Sequence, residues 1–522
     1  MRFLFILSIF LLLNLSLKAQ QYDVIFKNAK VLDGTGNSWY RADVATKGNL
    51  ITKISPNIIA KAKQVIDVNG LFLTPGFIDV HTHIENDEEK TPTANSFIYD
   101  GVTSVITGNC GSSEVNIKKY LNYVDSVRLS INVGVLIGHN SVRKAVIGRA
   151  NREPNPQELQ QMKTIVSQAM QDGAMGLSTG LIYIPGTYTK TDEIIELAKV
   201  VAPHNGLYAT HMRSESGKVK EAINEAITVG EAAGIPVQIS HFKIGGKQNW
   251  GQSDQTLALV KQARLKGLDV TIDQYPYTAS NTSISTLLPD DVLADGQDSL
   301  IARLNNPKIK EKVVREMLSS LKSKTLKHYN YAVVAYYALD TSYNGKSIEE
   351  INLMKGRKHK AKAEVETILD IMRNGGAGAV FHGMSEDDVK NIMQYPFNMP
   401  ASDAGIREFG AGIPHPRGYG TNARVLGKYV REEKVISLEE AVRRMTSLPA
   451  QKFQIKDRGL IKEGMKADIV VFDADKVIDL STYAKPHALS TGFKHVMVNG
   501  RLTLENGVHN RVRNGVALRH EE

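Results

Sequence analysis

Short apolar runs alternate with longer amphipathic stretches through the middle of this 522-residue chain. Runs of this length predict buried strands, whereas stretches such as residues 156–172 and 217–233 have the spacing of helices. Eight strand–helix units predict an α/β fold with a parallel (β/α)8 TIM-like barrel. The predicted strands are Gly76 to His81, Thr103 to Thr107, Asn132 to Ile137, Met175 to Thr179, Leu207 to His211, Val237 to His241, Asp269 to Asp273 and Met399 to Asp403.

A doubly wound open sheet is the alternative architecture for the same strand–helix pattern. That fold needs a glycine-rich phosphate-binding turn after its first strand. Here the first predicted strand ends in His81, and Thr82 and His83 follow it. The barrel is therefore the expected architecture.

The two ends of the chain contain shorter strand-like runs separated by turn signals. Asp23 to Phe26 lies near the beginning, and Ala467 to Phe472 and Val496 to Gly500 lie near the end. These runs predict a small β-sandwich domain formed by both ends of the chain. Its N-terminal part is residues 20–74, the barrel occupies residues 75–425, and residues 426–522 hold the last helices and the C-terminal part.

The interval from about residue 288 to residue 374 is too long for one barrel crossover. It is rich in lysine and in helix-forming residues, as in Lys308 to Lys324. We interpret it as a helical insertion before the last barrel strand. It is either a cover for the C-terminal mouth of the barrel or a decoration without a role in the active site.

The first 19 residues have the pattern of a secretory signal peptide. Arg2 precedes an apolar run from Phe3 to Leu15, and Ala19 supplies a small residue at the expected cleavage site. The run is shorter than the roughly 20 residues that span a bilayer, so we expect no stable membrane anchor. The signal predicts a secreted protein, in the periplasm.

The charge balance is basic, with 64 Lys and Arg against 55 Asp and Glu and a net charge of +9. The basic residues are spread along the chain and form no stripe interleaved with aromatic residues. We therefore interpret the charge as a solvated surface and expect no nucleic-acid partner. Nothing in the sequence indicates the oligomeric state.

Metal-binding residue types fall at the C-terminal ends of predicted strands, which meet on one face of a barrel. His81 and His83 flank the end of the first strand and point the same way, as residues i and i+2 of an extended segment do. Cys110, the only cysteine, ends the second strand, and His211 and His241 end the fifth and sixth. One thiolate and two imidazoles leave a fourth position open, which is the layout of a catalytic zinc site.

A carboxylate ends the eighth strand, where Asp403 follows Ser402. A carboxylate beside a metal site can act as a general acid and base. Taken alone, each such histidine or aspartate is more often an ordinary core or surface residue. Their joint occurrence at strand ends favours the catalytic interpretation.

The motifs that contain these residues resemble the amidohydrolase superfamily, and within it the D-aminoacylase (N-acyl-D-amino-acid deacylase) family. The Asn109-Cys110-Gly111 motif is specific to this branch. The fourth strand lacks the metal-bridging lysine of many superfamily members, and the resemblance implies that Cys110 replaces it. The matching segments extend from about residue 22 to residue 510, and they are Pro75 to His83, Gly108 to Gly111, Thr210 to Arg213, Ile239 to His241, Ser402-Asp403, His415 to Arg417 and Ala467 to Val470.

The resemblance implies zinc-dependent hydrolysis of the amide bond of N-acyl-D-amino acids or related D-residue dipeptides. It implies one tightly bound zinc ion, a weaker second metal site, a general acid/base and a substrate pocket. By this resemblance, the ligands of the tight zinc site are Cys110, His211 and His241, and those of the weaker site are His81 and His83. The general acid/base is Asp403. The substrate-binding residues are Arg417, Tyr277 and Ser283.

Two other functions are open from the sequence. One is another amidohydrolase that acts on cyclic amides or imides, as dihydropyrimidinases and dihydroorotases do. Such a substrate would not need Arg417 to anchor a free carboxylate. The other is a non-catalytic scaffold, which would be expected to have lost a ligand, and none of the expected ligands is missing.

Overall fold

A computed structural model describes residues 22–520, so the predicted signal peptide, residues 1–19, lies outside the described residues. Eight parallel strands form a barrel, which confirms the predicted (β/α)8 fold. The strands are buried along nearly their whole length, as expected for parallel strands covered on both faces. They are Phe77–Asp79, Val102–Thr107, Asn132–Val135 continued by Ile137–Gly138, Gly176–Gly180, Leu207–His211, Val237–Ile239, Val270–Gln274 and Asn398–Pro400.

The barrel closes where the last strand meets the first. Thr82 and Ala404 form a parallel bridge, and the backbone N–H of Asp403 donates to the carbonyl of His81 at 2.8 Å. The third strand is interrupted at Leu136: its first part pairs with the second strand and its second part with the fourth. Because the strands are parallel, all eight C-terminal ends lie on one face.

Helices surround the barrel and bury one face each against it. The helix Pro156–Gln171 begins with a capping box between Asn155 and Glu158, and it buries Met162 and Val166. The helices associated with the barrel are Asn95–Ile98, Ile117–Val127, His139–Ile147, Pro156–Gln171, Thr191–Val201, Val219–Ala233, Ser253–Leu265, Glu386–Met393, Arg417–Arg424, the π-helix Val425–Glu432, Leu438–Met445 and Ser447–Lys452. None of the helices in residues 22–520 is both long enough and apolar enough to cross a membrane.

The two ends of the chain form one hydrogen-bonded sheet of nine strands. Phe72–Pro75, from the N-terminal side, pairs antiparallel with Ile469–Phe472, from the C-terminal side. The predicted sandwich packing of this sheet stays a prediction. The strands are Tyr22–Val31, Tyr40–Lys47, Leu50–Ser55, Ala62–Asp67, Phe72–Pro75, Ile469–Phe472, Phe493–Val498, Arg501–Glu505 and Val508–His509.

The insertion between the seventh and eighth barrel strands has its own sheet and its own apolar core. It is wider than the predicted residues 288–374, because strands flank the helices on both sides. The first strand escapes recognition in the sequence because Ala279–Ser283 is mostly polar. The elements are the antiparallel strands Ala279–Ser283, Ala332–Tyr336 and Gly378–His382, and the helices Asp290–Leu293, Gln297–Asn305, Pro307–Ser323, Ile348–Met354 and Ala361–Arg373.

The close approach of the two chain ends makes a testable prediction at Gly500. This glycine has a φ of +78°, and an added Cβ would lie 1.9 Å from the carbonyl oxygen of Gly48. Gly464 also has a positive φ, of +90°, but nothing lies within 4 Å of its added Cβ. We expect Gly464→Ala to lower the free energy of unfolding by about 1–2 kcal/mol, the cost of the left-handed backbone. Gly500→Ala should cost about 1–3 kcal/mol more, since the clash adds to that strain.

Urea titration of both variants measures this difference. Equal losses for the two variants would mean that the ends of the chain do not pack as closely as Gly500 and Gly48 indicate.

Candidate metal centre and active site

Three imidazole nitrogens surround one sulfur at the C-terminal mouth of the barrel. The Sγ atom of Cys110 lies 3.4 Å from Nε2 of His81, 3.6 Å from Nδ1 of His211 and 3.6 Å from Nε2 of His241. All four side chains are buried. They follow the first, second, fifth and sixth barrel strands, so the topology brings together residues that are far apart in the chain.

The separations within this cluster fit a zinc ion. Zn–S and Zn–N bonds of about 2.3 and 2.0–2.1 Å at a tetrahedral angle place sulfur and nitrogen about 3.6 Å apart. Cys110 has that separation from both His211 and His241. The donor set, one thiol and imidazoles in a buried site, is also one that zinc prefers.

Two further groups of potential metal donors overlap with this cluster. His81, His83 and Cys110 form one potential metal-binding set, and His81, His241 and Asp403 form another, each with donor atoms within 4.8 Å of one another. His83 lies closer to solvent, with 34% of its side chain exposed. The geometry can therefore accommodate two adjacent metal positions with Cys110 between them.

The charge environment favours the metal-binding form of Cys110. Burial raises the pKa of this thiol, but the neighbouring imidazoles of His81, His211 and His241 outweigh burial and hold it well below its usual range. The thiolate is the form that binds metals. The low pKa of the Cys110 thiol therefore favours the binding of a metal ion at this site.

The backbone is left-handed at three site residues. Cys110, His241 and Asp403 have φ values of +52°, +36° and +50°. Each such conformation costs about 1–3 kcal/mol in a residue other than glycine. Hydrogen bonds from the backbone N–H groups offset the strain: that of His241 donates to Oδ1 of Asp273 at 2.6 Å, and that of Asp403 donates to the carbonyl of His81 at 2.8 Å. The fold thus uses strain to turn these side chains toward the mouth.

Glycines on both sides of Cys110 are required by close packing. Gly108 and Gly111 have φ values of +77° and +75°. A Cβ at Gly108 would lie 2.2 Å from the carbonyl oxygen of Leu136, and one at Gly111 would lie 2.3 Å from Oδ1 of Asn140. The Gly108 to Gly111 motif therefore has a steric cause.

Carboxylates that the sequence analysis missed lie behind the histidines. Oε1 of Glu215 lies 2.6 Å from Nδ1 of His241, and its Oε2 lies 3.7 Å from Nε2 of His211. Lys243 lies 2.5 Å from the same Oε1. Burial raises the pKa of Glu215, but the charges of Lys243 and His241 outweigh burial and lower it. A carboxylate in this position orients metal-binding histidines and increases their basicity.

Asp273 has the same relation to His81, with its Oδ1 3.3 Å from Nδ1 of the ring. This residue lies at the end of the seventh barrel strand, so the strand-end argument that found the ligands could also have found it. Glu215 lies in the loop after His211, where no periodic pattern identifies it.

Asp403 lies between the histidines and Arg417. Its Oδ1 is 3.2 Å from Nε2 of His83 and 3.6 Å from Nε2 of His81, and its Oδ2 is 2.8 Å from Nη1 of Arg417. Burial raises the pKa of Asp403, but Arg417 and His81 outweigh burial and hold it well below its usual range. The low pKa favours the ionised form of this carboxylate.

Arg417 is buried at the beginning of the helix Arg417–Arg424. Its guanidinium carbon lies 4.4 Å from the centre of the Tyr275 ring. Its Nη2 donates to the carbonyl of Asn281 at 3.4 Å, whereas its Nε has no hydrogen-bond partner among the described residues. One buried donor is thus available to a ligand.

The structure does not bring Tyr277 and Ser283 to the metal cluster. The Tyr277 ring lies 5.2 Å from that of His415, and the guanidinium of Arg424 lies 4.7 Å from its centre. Ser283 is exposed and hydrogen-bonds to Ser285. Tyr275, two residues before Tyr277, is the tyrosine that contacts Arg417. The substrate-binding roles of Tyr277 and Ser283 stay predictions.

A cavity of about 540 Å³ opens over the cluster. His83, Cys110, Asp403 and Arg417 line it, together with Asn281 from the first strand of the insertion. A larger groove, about 1090 Å³, runs between the nine-stranded sheet and the C-terminal segment and contains none of the candidate ligands. The residues that line the smaller cavity, rather than its volume, therefore identify it as the candidate site.

Known proteins share both the sequence pattern and the fold. The pattern of the amidohydrolase family matches residues 64–504. An N-acyl-D-glutamate deacylase of Alcaligenes xylosoxydans xylosoxydans is 32% identical over 503 residues, covering 92% of this chain and 93% of that protein.

Solved structures of related enzymes have the same fold as this chain. One is N-acyl-D-glutamate deacylase from Bordetella bronchiseptica, complexed with zinc and a phosphonate mimic of the tetrahedral intermediate. It is 31% identical to this chain, with a TM-score of 0.81, and the match covers 96% of this chain and 100% of that one. A D-aminoacylase studied for its binuclear metal centre has 32% identity and a TM-score of 0.81 and covers 95% and 100%. This chain therefore belongs to the amidohydrolase family, in the branch that contains the D-aminoacylases.

Proposed function

We propose that this protein is a zinc-dependent hydrolase that cleaves the amide bond of N-acyl-D-amino acids or related D-residue dipeptides. The observation that carries the proposal is the position of Asp403, buried between the thiol–imidazole cluster and Arg417. This arrangement places a proton acceptor between a metal site and a carboxylate-binding group. The relatives of this protein include an N-acyl-D-glutamate deacylase crystallised with zinc.

Cys110, His211 and His241 would hold the tightly bound zinc ion, and His81 and His83 would form the weaker second site. Zinc bound here supplies Lewis-acid polarisation of a substrate carbonyl and lowers the pKa of water to about 7. Glu215 holds the rings of His211 and His241 in place from behind.

Asp403 moves the proton. Its ionised carboxylate accepts a proton from the attacking water while the remaining hydroxide adds to the acyl carbon. The same carboxyl then gives the proton to the amide nitrogen as the C–N bond breaks. The products are a carboxylic acid and a free amino acid.

Arg417 would anchor the α-carboxylate of the substrate. A guanidinium presents a planar set of donors that matches a carboxylate, and the Nε of this one has no partner among the described residues. A fixed carboxylate and a fixed scissile carbonyl define the handedness of the carbon between them. The dihydropyrimidines that dihydropyrimidinases hydrolyse have no free carboxylate, so the buried Arg417 favours the linear substrate over these cyclic amides.

The cellular setting is also part of the proposal. The apolar run near Arg2 supports export to the periplasm, where the protein would act on small molecules. We propose neither a nucleic-acid partner nor a membrane anchor.

Replacement of the proton carrier separates catalysis from metal binding. We expect Asp403→Asn to lower kcat by roughly 10²- to 10⁴-fold, the usual contribution of a general acid and base. Zinc content should stay at the wild-type level, because the proposed ligands of the tight site are intact. Steady-state kinetics and elemental analysis of the same preparation measure both quantities.

Asp87→Asn is the matched control, since Asp87 lines the same cavity and its side chain forms no hydrogen bond with a proposed ligand. It should retain most of the activity. Full activity in Asp403→Asn would exclude this residue as the proton carrier.

The carboxylate anchor predicts substrate discrimination. Wild-type protein should hydrolyse N-acetyl-D-amino acids faster than their L enantiomers. Arg417→Lys keeps the positive charge beside Asp403 but loses the planar set of donors, so we expect kcat/KM for the D acid to fall about 10- to 100-fold. For the corresponding N-acetyl-D-amino-acid amide, which has no carboxylate, kcat/KM should fall little. Equal losses on acid and amide would rule out Arg417 as the anchor.

A further inference from the structure

A separate group of metal-binding side chains lies in the insertion. His328, Glu349, His359 and Glu364 place one donor atom each within 4.8 Å of one another. None of them belongs to the barrel mouth or to the proposed reaction. His328 precedes the helix Ile348–Met354, Glu349 lies within it, and His359 and Glu364 follow it, so their clustering depends on the tertiary fold of the insertion.

Hydrogen-bond contacts between histidines and glutamates hold this group together, and a bound ion would replace them. Nδ1 of His328 lies 2.6 Å from Oε1 of Glu364 and 3.6 Å from Oε1 of Glu349. Nε2 of His359 lies 2.5 Å from the same Oε1 of Glu349. The two imidazole rings are stacked, with centres 4.3 Å apart and an interplanar angle of 21°. Two carboxylates and two imidazoles therefore face one small volume.

Glu364 anchors the group from the interior. Its side chain is fully buried, and its other oxygen, Oε2, accepts the backbone N–H of Tyr329 at 2.7 Å. The remaining members are progressively closer to solvent: 20% of the Glu349 side chain, 27% of the His328 side chain and 55% of the His359 side chain are exposed. The group therefore extends from Glu364, in the core of the insertion, to His359, which is accessible to ions from solvent.

The charges explain why a cation would be favourable. A buried carboxylate such as that of Glu364 needs a compensating charge. If protonated histidines alone balanced both carboxylates, two cationic rings would lie face to face with their centres 4.3 Å apart. One divalent ion offsets both carboxylates and leaves both imidazoles neutral.

We propose that His328, Glu349, His359 and Glu364 bind one divalent transition-metal ion, with zinc as the best match. Imidazole ligands favour zinc over calcium or magnesium, and carboxylate oxygens are accepted zinc ligands. Four protein ligands leave no open position, which is typical of a structural site rather than a catalytic one.

The bound ion joins four segments of the insertion. His328 precedes the strand Ala332–Tyr336, Glu349 lies in the first turn of the helix Ile348–Met354, and Glu364 lies in the first turn of the helix Ala361–Arg373. His359 belongs to the loop between the two helices. The strand Ala332–Tyr336 pairs with Gly378–His382, which in turn pairs with Ala279–Ser283, a wall of the active-site cavity. The ion therefore stabilises the unit that forms this wall.

Cobalt distinguishes this site from the barrel site in the full-length protein. The barrel site contains a thiolate, so Co²⁺ bound there gives a sulfur-to-metal charge-transfer band. The insertion site has only nitrogen and oxygen ligands and gives only visible d–d bands. On titration of metal-free protein with Co²⁺, we expect d–d absorption that continues to grow after the charge-transfer band is complete.

His359→Gln and Glu349→Gln test the assignment at positions exposed enough to tolerate substitution. Each variant should bind one metal ion fewer per chain than wild type and should lose part of the metal-dependent rise in Tm. The charge-transfer band and the hydrolytic kcat should be unchanged, because neither residue contributes to the barrel site.

Asp370→Asn is the matched control. Asp370 lies on the same helix as Glu364 and pairs with Lys355 and Arg357 rather than with a histidine, so this variant should bind as many metal ions as wild type. Unchanged stoichiometry in His359→Gln and Glu349→Gln would overturn the proposal. A stability loss in them that depends on pH but not on added metal would also overturn it, since it would indicate ion pairs alone.

Discussion

The packing of three imidazole nitrogens around the buried sulfur of Cys110 is the interaction on which the rest of the barrel mouth depends. Cys110 lies within 3.6 Å of ring nitrogens from three separate strand ends. An ionised sulfur in a dry site is costly unless cations or strong donors compensate for it. The packing around it, including the left-handed backbone at Cys110 and His241, is explained if a metal ion completes the group.

The carboxylates around the cluster divide into two roles. Glu215 and Asp273 lie behind the imidazoles and hold them in position, whereas Asp403 faces the cavity. The difference follows from topology, because Asp403 closes the barrel between the first and eighth strands and projects toward Arg417. In the proposed function, the ends of the barrel strands and the loop that contains Glu215 supply the metal ligands, the residues that support them and the proton carrier.

The barrel and most of the candidate site could be predicted from the sequence, and the reason is physical. Parallel strands are buried on both faces, so they appear as continuous apolar runs, and their ends converge. That reasoning found Cys110, His211 and His241 together. It did not find the strand Ala279–Ser283, whose residues are polar, or Glu215, which lies in a loop. The choice between Tyr275 and Tyr277 depends on the local path of the chain, which no residue pattern specifies.

The most direct measurement is X-ray absorption at the zinc K-edge on protein loaded with one equivalent of zinc. We expect one sulfur ligand at about 2.3 Å together with nitrogen or oxygen ligands at about 2.0–2.1 Å. An active, zinc-loaded protein whose metal has only nitrogen and oxygen neighbours would contradict the central role of Cys110.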